Sequence, residues 1–267
     1  MSVAKSHASH GGAADSHAHH GGHEHHWETS LAPLALVVGV VCLLPAAFIS
    51  YFVYEDLKLA SIFMGFGTPI VLFAVSKWVN EGMTQPSIAP GLAAVGLPLF
   101  IVSEIFIFLA MFAAYWMFRL FAVSWPPAGS PEMPTGMPLL MTALLVTSSV
   151  TAHVAEEKEA HGDVSGLRTW LMLTILLGLA FLSCTAYEYT HLIGHGFVPG
   201  VSVFSTAFFG ITGFHASHVM VGLFAFLFVL IPAFRGRTNK TFLQCVSVYW
   251  HFVDVVWFFV VSQIYFW

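Results

Sequence analysis

The chain reads as an all-α membrane protein with seven transmembrane helices. Two observations carry that reading. Hydrophobic residues make up 57% of the 267 positions and charged residues only 9%, whereas a soluble domain carries about 25% charged residues. After residue 30, apolar runs of the ~20 residues that cross a bilayer recur seven times between short polar breaks. Such a composition excludes most water-soluble enzymes and disordered scaffolds. Nine basic residues against 14 acidic ones leave no basic footprint for nucleic acid.

Residues 1–30 form a different region, expected to be a disordered cytoplasmic tail ahead of the membrane domain at 31–267. Eight of the fifteen histidines lie there: His7, His10, His17, His19, His20, His23, His25 and His26. Gly, Ala and Ser fill most of the rest. No apolar h-region marks a secretory signal, and too little surface can be buried to offset the entropy of ordering. Interrupted imidazoles at this density bind Zn, Cu or Ni weakly, which makes His19, His20, His23, His25 and His26 a weak metal candidate. No other metal ligand set is expected in the chain.

The spans are expected at about 31–54, 58–79, 91–121, 136–154, 167–189, 202–232 and 243–266. The third and sixth are long enough to tilt or project. The fourth follows a Pro/Gly-rich stretch, Trp125 to Pro138, read as an external loop with Trp125 as an interfacial anchor. Glu156-Glu157-Lys158-Glu159 is read as an acidic loop after it. Orientation follows the basic residues. Lys5, Lys77, Lys158, Arg168, Arg235, Arg237 and Lys240 share one side of such a chain, and Lys58 and Arg119 the other. The N-terminus is therefore expected in the cytoplasm and the C-terminus outside. Cys42, Cys184 and Cys245 sit far apart in apolar runs with no CxxC, which excludes a ferredoxin motif or a zinc knuckle. No inverted repeat of broken helices suggests a midplane transport site.

Ionisable groups at membrane depth are costly and mark a partner or a role. Here they are Glu104 in the third span, His153 ending the fourth and Glu188 ending the fifth. His215 and His218 lie in the sixth, and His251 and Asp254 in the seventh. His215 and His218 are three apart and share a helix face. His251 and Asp254 have the same spacing and can pair on their own helix. Four readings fit this set: haem ligation, a metal centre, a proton path through an isolated Glu104, and structural glue between helices. Gly210, Gly213 and Ser217 would let neighbouring helices approach closely. The pattern alone goes no further than a seven-helix protein with a few buried polar clusters.

Several segments carry more information. Tyr249-Trp250-His251-Phe252-Val253-Asp254-Val255-Val256-Trp257 closes the last span. Gly213-Phe214-His215-Ala216-Ser217-His218-Val219, followed by Gly222, lies in the sixth, and Val102-Ser103-Glu104 in the third. Trp125-Pro126-Pro127, Ser148-Ser149-Val150-Thr151 with His153, and Ala186-Tyr187-Glu188-Tyr189 add support. In this order, over residues 75 to 267, the chain resembles subunit III of haem–copper terminal oxidases, the cytochrome c oxidase subunit 3 family.

The resemblance implies seven helices in two groups, with helices one and two separated from three to seven by a lipid-filled cleft. It implies a non-catalytic integral subunit of an aerobic respiratory complex. Such a subunit binds structural phospholipid and supports proton uptake and the stability of subunit I. No cofactor is then expected in this chain, since haem and copper belong to partner subunits I and II, within what can be a larger respiratory supercomplex. By the same resemblance Glu104 matches the family's membrane carboxylate, and Glu81, Arg235 and Trp78 match lipid-headgroup positions. Glu104, His215, His218, His251 and Asp254 are the buried polar or proton-related set. The chain departs from relatives with arginines after helix two, having Lys77-Trp78-Val79-Asn80-Glu81 there. The expected location is the inner (plasma) membrane. A subunit III of a quinol oxidase and a stand-alone proton-coupled transporter are the alternatives.

Overall fold

Seven helices of spanning length and apolarity account for nearly all the described residues in the computed structural model, which describes residues 30–84, 92–127, 129–131 and 135–266. The His-rich segment of the tail, including His19, His20, His23, His25 and His26, lies outside the described residues. Helix α1 runs as Ala32–Val41, a π turn at Cys42–Ala46 and a last stretch Ala47–Phe52. The π turn surrounds Pro45, whose ring nitrogen has no proton for the helical ladder. Helices α2 to α6 are Leu57–Thr84, Leu92–Phe121, Gly136–Ala160, Val164–Gly194 and Val203–Ala233. Helix α7 is Lys240–Val261 and continues through a π turn at Ser262–Phe266. No strand occurs among the described residues.

All seven spans fall where the apolar runs place them, with differences at the ends, where α2 runs on to Thr84 and α4 and α5 are also longer than expected. Glu156 to Glu159 are helical, so the expected acidic loop is the last turn of α4. Ala, Glu and Lys favour helix, and Ala152 and Ala155 are fully buried there. The true break is His161-Gly162-Asp163, where Gly162 has φ +73°, a left-handed turn that suits glycine. Helix α5 also runs beyond Tyr189 to Gly194, which puts His191 in its last turn.

The helix starts are legible in chemical terms. Asp163 accepts from Gly166 N at 2.8 Å and Asn239 from Phe242 N at 3.0 Å. Ser202 and Ser205 exchange two bonds of 3.0 Å in a capping box. Each side chain satisfies an amide that a helix start leaves unpaired.

The chain forms two compact units, residues 1–78 and 79–267. In the first, α1 and α2 meet through glycines. A Cβ added at Gly39 would lie 2.7 Å from Val71 Cγ2, and one at Gly67 would lie 2.9 Å from the Gly39 carbonyl. Small residues at such a crossing let two membrane helices pack backbone to backbone. In the second unit, α4 packs on α5 and α7, α6 on α5 and α7, and α3 on α6 and α7. Its core includes Trp250, Trp257, Phe181, Phe208 and Phe226, each at most 1% exposed.

Candidate functional site

Trp250, on α7, is fully buried between two glycines. A Cβ at Gly222 of α6 would stand 2.6 Å from its ring, and one at Gly178 of α5 would stand 3.0 Å away. Its indole Nε1–H donates to Ser148 Oγ of α4 at 2.9 Å. One side chain thus engages three other helices. The close approach on α6 is therefore at Gly222. At Gly210 and Gly213 a Cβ would meet its nearest atoms at 3.9 and 3.4 Å, the first an ordinary contact and the second an approach to the movable Tyr189 hydroxyl.

Two more polar ties join α7 to α4 in the same antiparallel register. Trp257 Nε1 donates to Thr142 Oγ1, and Ser149 Oγ donates to Asp254 Oδ2, both at 2.9 Å. Asp254 is thus held from α4, whereas His251 has its hydrogen-bond contact at Ser247 Oγ, 3.5 Å away. The spacing suggested a bond within α7; the hydrogen bond that Asp254 makes runs instead across to Ser149 of α4. The second oxygen, Oδ1, is buried with no hydrogen-bond partner among the described residues.

Glu104 is not isolated. Its Oε2 lies 3.1 Å from His218 Nε2, and both side chains are nearly enclosed. His218 Nδ1 donates to the Phe214 carbonyl at 2.9 Å, and its own carbonyl accepts from Tyr249 O–H at 3.2 Å. Because Nδ1 must carry a proton to donate to a carbonyl, the Nε2–Oε2 contact holds one further proton. It is either a neutral imidazole with a carboxylic acid or an imidazolium with a carboxylate, and both forms have zero net charge.

This proton count predicts how substitutions behave. Glu104→Gln can still donate an amide N–H to His218 Nε2 and should leave the stability of the purified protein nearly unchanged. Glu104→Ala strands the imidazole and should cost about 1–3 kcal/mol. Thermal inactivation of the two variants compares them directly. Equal losses in both would mean that an amide cannot replace the shared proton, and no loss in either would mean that the pair contributes nothing to the fold.

His215 shares a helix face with His218 but not its partners. It is fully buried, ringed by Trp257, Phe181 and Phe108 at centroid distances of 5.1, 5.8 and 6.5 Å. Neither ring nitrogen meets a hydrogen-bonding protein atom among the described residues. Nothing in the sequence pattern separates the two histidines. The difference arises because Glu104 on α3 reaches only His218.

A further tie joins α5 to the end of α7, where Tyr265 O–H donates to Glu188 Oε2 at 2.7 Å. Tyr189 and Thr212 join α5 to α6 through their hydroxyls at 2.6 Å. Among the described residues, no three His, Cys, Asp or Glu side chains gather as a group able to hold a metal ion.

The remaining candidates lie at helix ends. Trp78 is exposed and Glu81 partly so, both in the last turns of α2. Arg235 is exposed in the turn after α6, where its backbone N–H donates to the Pro232 carbonyl.

The motif order and the seven-helix architecture agree with the comparisons to known proteins. The family model described as cytochrome c oxidase subunit III matches residues 23–267. The chain belongs to the cytochrome c oxidase subunit III family. Among its relatives, cytochrome c oxidase subunit 3 of Corynebacterium diphtheriae is 40% identical over 183 residues, covering 66% of this chain and 89% of the relative. The probable subunit 3 of Mycobacterium leprae is 38% identical over 181 residues, with the same two coverages. The Synechocystis protein of that name is 37% identical over 172 residues, 63% of this chain and 72% of the relative. A subunit III is part of an oxidoreductase complex, and its seven apolar helices make it an integral membrane protein.

Proposed function

We propose that this subunit III is a non-catalytic scaffold of a cytochrome c oxidase of aerobic respiration. It binds structural phospholipid and supports proton uptake and the stability of subunit I. One observation carries the scaffold reading: the buried carboxyl groups bridge different helices. Glu104 links α3 to α6, Asp254 links α7 to α4, and Glu188 links α5 to the end of α7. Polar groups used in this way hold a membrane bundle in one arrangement.

The subunit I and II partners supply haem and copper. Trp78, Glu81 and Arg235 take lipid headgroups at helix ends, where a cation or an indole suits the interface. The Glu104–His218 pair is the group best built to hold a movable proton. The seven-to-two asymmetry of basic residues supports a cytoplasmic N-terminus in the inner membrane.

Affinity purification of this chain in mild detergent, read by a reduced-minus-oxidised optical spectrum, tests the reading. Two larger subunits and their haem bands should co-elute, and the bands should vanish when this chain is purified alone after stripping. A chain that elutes alone and colourless from native membranes would favour a stand-alone transporter. One that keeps its own haem after stripping would overturn the scaffold assignment.

A further inference from the structure

The geometry points to a transition-metal site at the end of α5, formed by His191 and His195. We propose that this pair binds a divalent ion with a preference for imidazole nitrogen, best matched by Cu(II). The two histidines are four apart, both are exposed, and they occupy the last turn of the helix and its cap. Three features make them more than neighbours.

The first is spacing. Their ring centroids are 4.4 Å apart. With metal–nitrogen bonds of about 2.0 Å and ring centres about 1.1 Å beyond each nitrogen, two imidazoles at right angles on one ion have centroids about 4.4 Å apart. A right angle between ligands is the tetragonal geometry of Cu(II).

The second is the proton. His195 Nδ1 lies 2.8 Å from the His191 carbonyl, which can only accept. Nδ1 therefore carries the proton, and in the neutral ring Nε2 keeps its lone pair for a metal ion. Metal-bound histidines are held in this way, with the second nitrogen donating to a carbonyl or carboxylate.

The third is the surroundings. Tyr187, one turn earlier, lies beside His191 with ring centroids 6.3 Å and planes 11° apart. The carboxyl end of a helix carries partial negative charge that favours a cation. Two protein ligands leave the other positions to water, which suits an exchangeable ion rather than a structural one.

Residue-resolved labelling distinguishes this pair from the histidines of the tail. The purified oxidase complex, stripped with chelator, is treated with diethyl pyrocarbonate across a titration of copper sulfate, and modification is read by mass spectrometry. His191 and His195 should both react without metal and become protected together as Cu(II) is added. Zn(II) should protect at higher concentration, following the ordinary order of divalent affinities. In His191→Ala, protection of His195 should require at least about tenfold more Cu(II), the smallest loss seen even for second-shell changes at metal sites. His191→Gln, which keeps length and polarity, should behave like the alanine variant. Three results would overturn the proposal: no protection up to millimolar Cu(II), unchanged protection of His195 in either variant, or no labelling of either histidine in the stripped complex.

Discussion

Trp250→Ala is expected to destabilise the five-helix unit by about 3–5 kcal/mol, the range for deleting a buried large aromatic. The indole fills the space between Gly178 and Gly222, neither of which carries a side chain to replace it. The same change removes the N–H that donates to Ser148. Gly222→Leu attacks the contact from the other side, since its Cβ would already lie 2.6 Å from the Trp250 ring. Overpacking of this kind costs about 1–3 kcal/mol, occasionally more. Both variants should lower the thermal inactivation midpoint and the amount of this chain recovered in purified membranes. If Trp250→Ala unfolds like the native protein, the packing described at α5, α6 and α7 is not what holds these helices together.

Tyr265→Phe is the second large effect. Glu188 is 4% exposed, and its Oε1 has no hydrogen-bond partner among the described residues. Removing the Tyr265 hydroxyl would leave both carboxyl oxygens without a bond, at a cost of about 1–3 kcal/mol. Replacing both partners with apolar groups, Tyr265→Phe with Glu188→Leu, should recover most of that loss, because no stranded polar group remains. A double-mutant cycle read by thermal inactivation gives the coupling directly. Additive losses would show that the two side chains meet without stabilising each other.

Much of the fold was legible because a bilayer leaves few choices. Backbone groups in hydrocarbon must bond within the helix, so seven apolar runs become seven helices. The ends were harder to read. Glu156 to Glu159 look like a loop by hydropathy, yet their helix propensity is high and Gly162 rather than the acids breaks the chain.

The buried polar residues were visible one by one, but their partners were not. Glu104 and His218 are 114 positions apart and Ser149 and Asp254 are 105 apart. No local spacing encodes either contact. His251 with Asp254, and Gly210 with Gly213, had the correct local periodicity. The contacts were decided instead by which faces α3 and α4 present to α6 and α7. His191 and His195 had the opposite fate. Their i, i+4 spacing was in plain sight, but with the fifth span ending near residue 189 they fell in a loop, where that spacing carries no meaning.

The single proton shared by Glu104 and His218 determines how the pair responds to an electric field across the membrane. Because the pair is neutral in both forms, the transmembrane voltage exerts no net force on it and acts only on its dipole. Transfer between the two heavy atoms spans at most 3.1 Å, about a tenth of a ~30 Å hydrocarbon core. Moving a full charge across that core changes the energy by about 2.3 kcal/mol per 100 mV, so the internal hop feels roughly 0.2 kcal/mol, less than thermal energy. A potential of 100 mV therefore shifts the balance between the two forms by less than about 1.5-fold, and the surrounding rings and carbonyls weigh more in setting it.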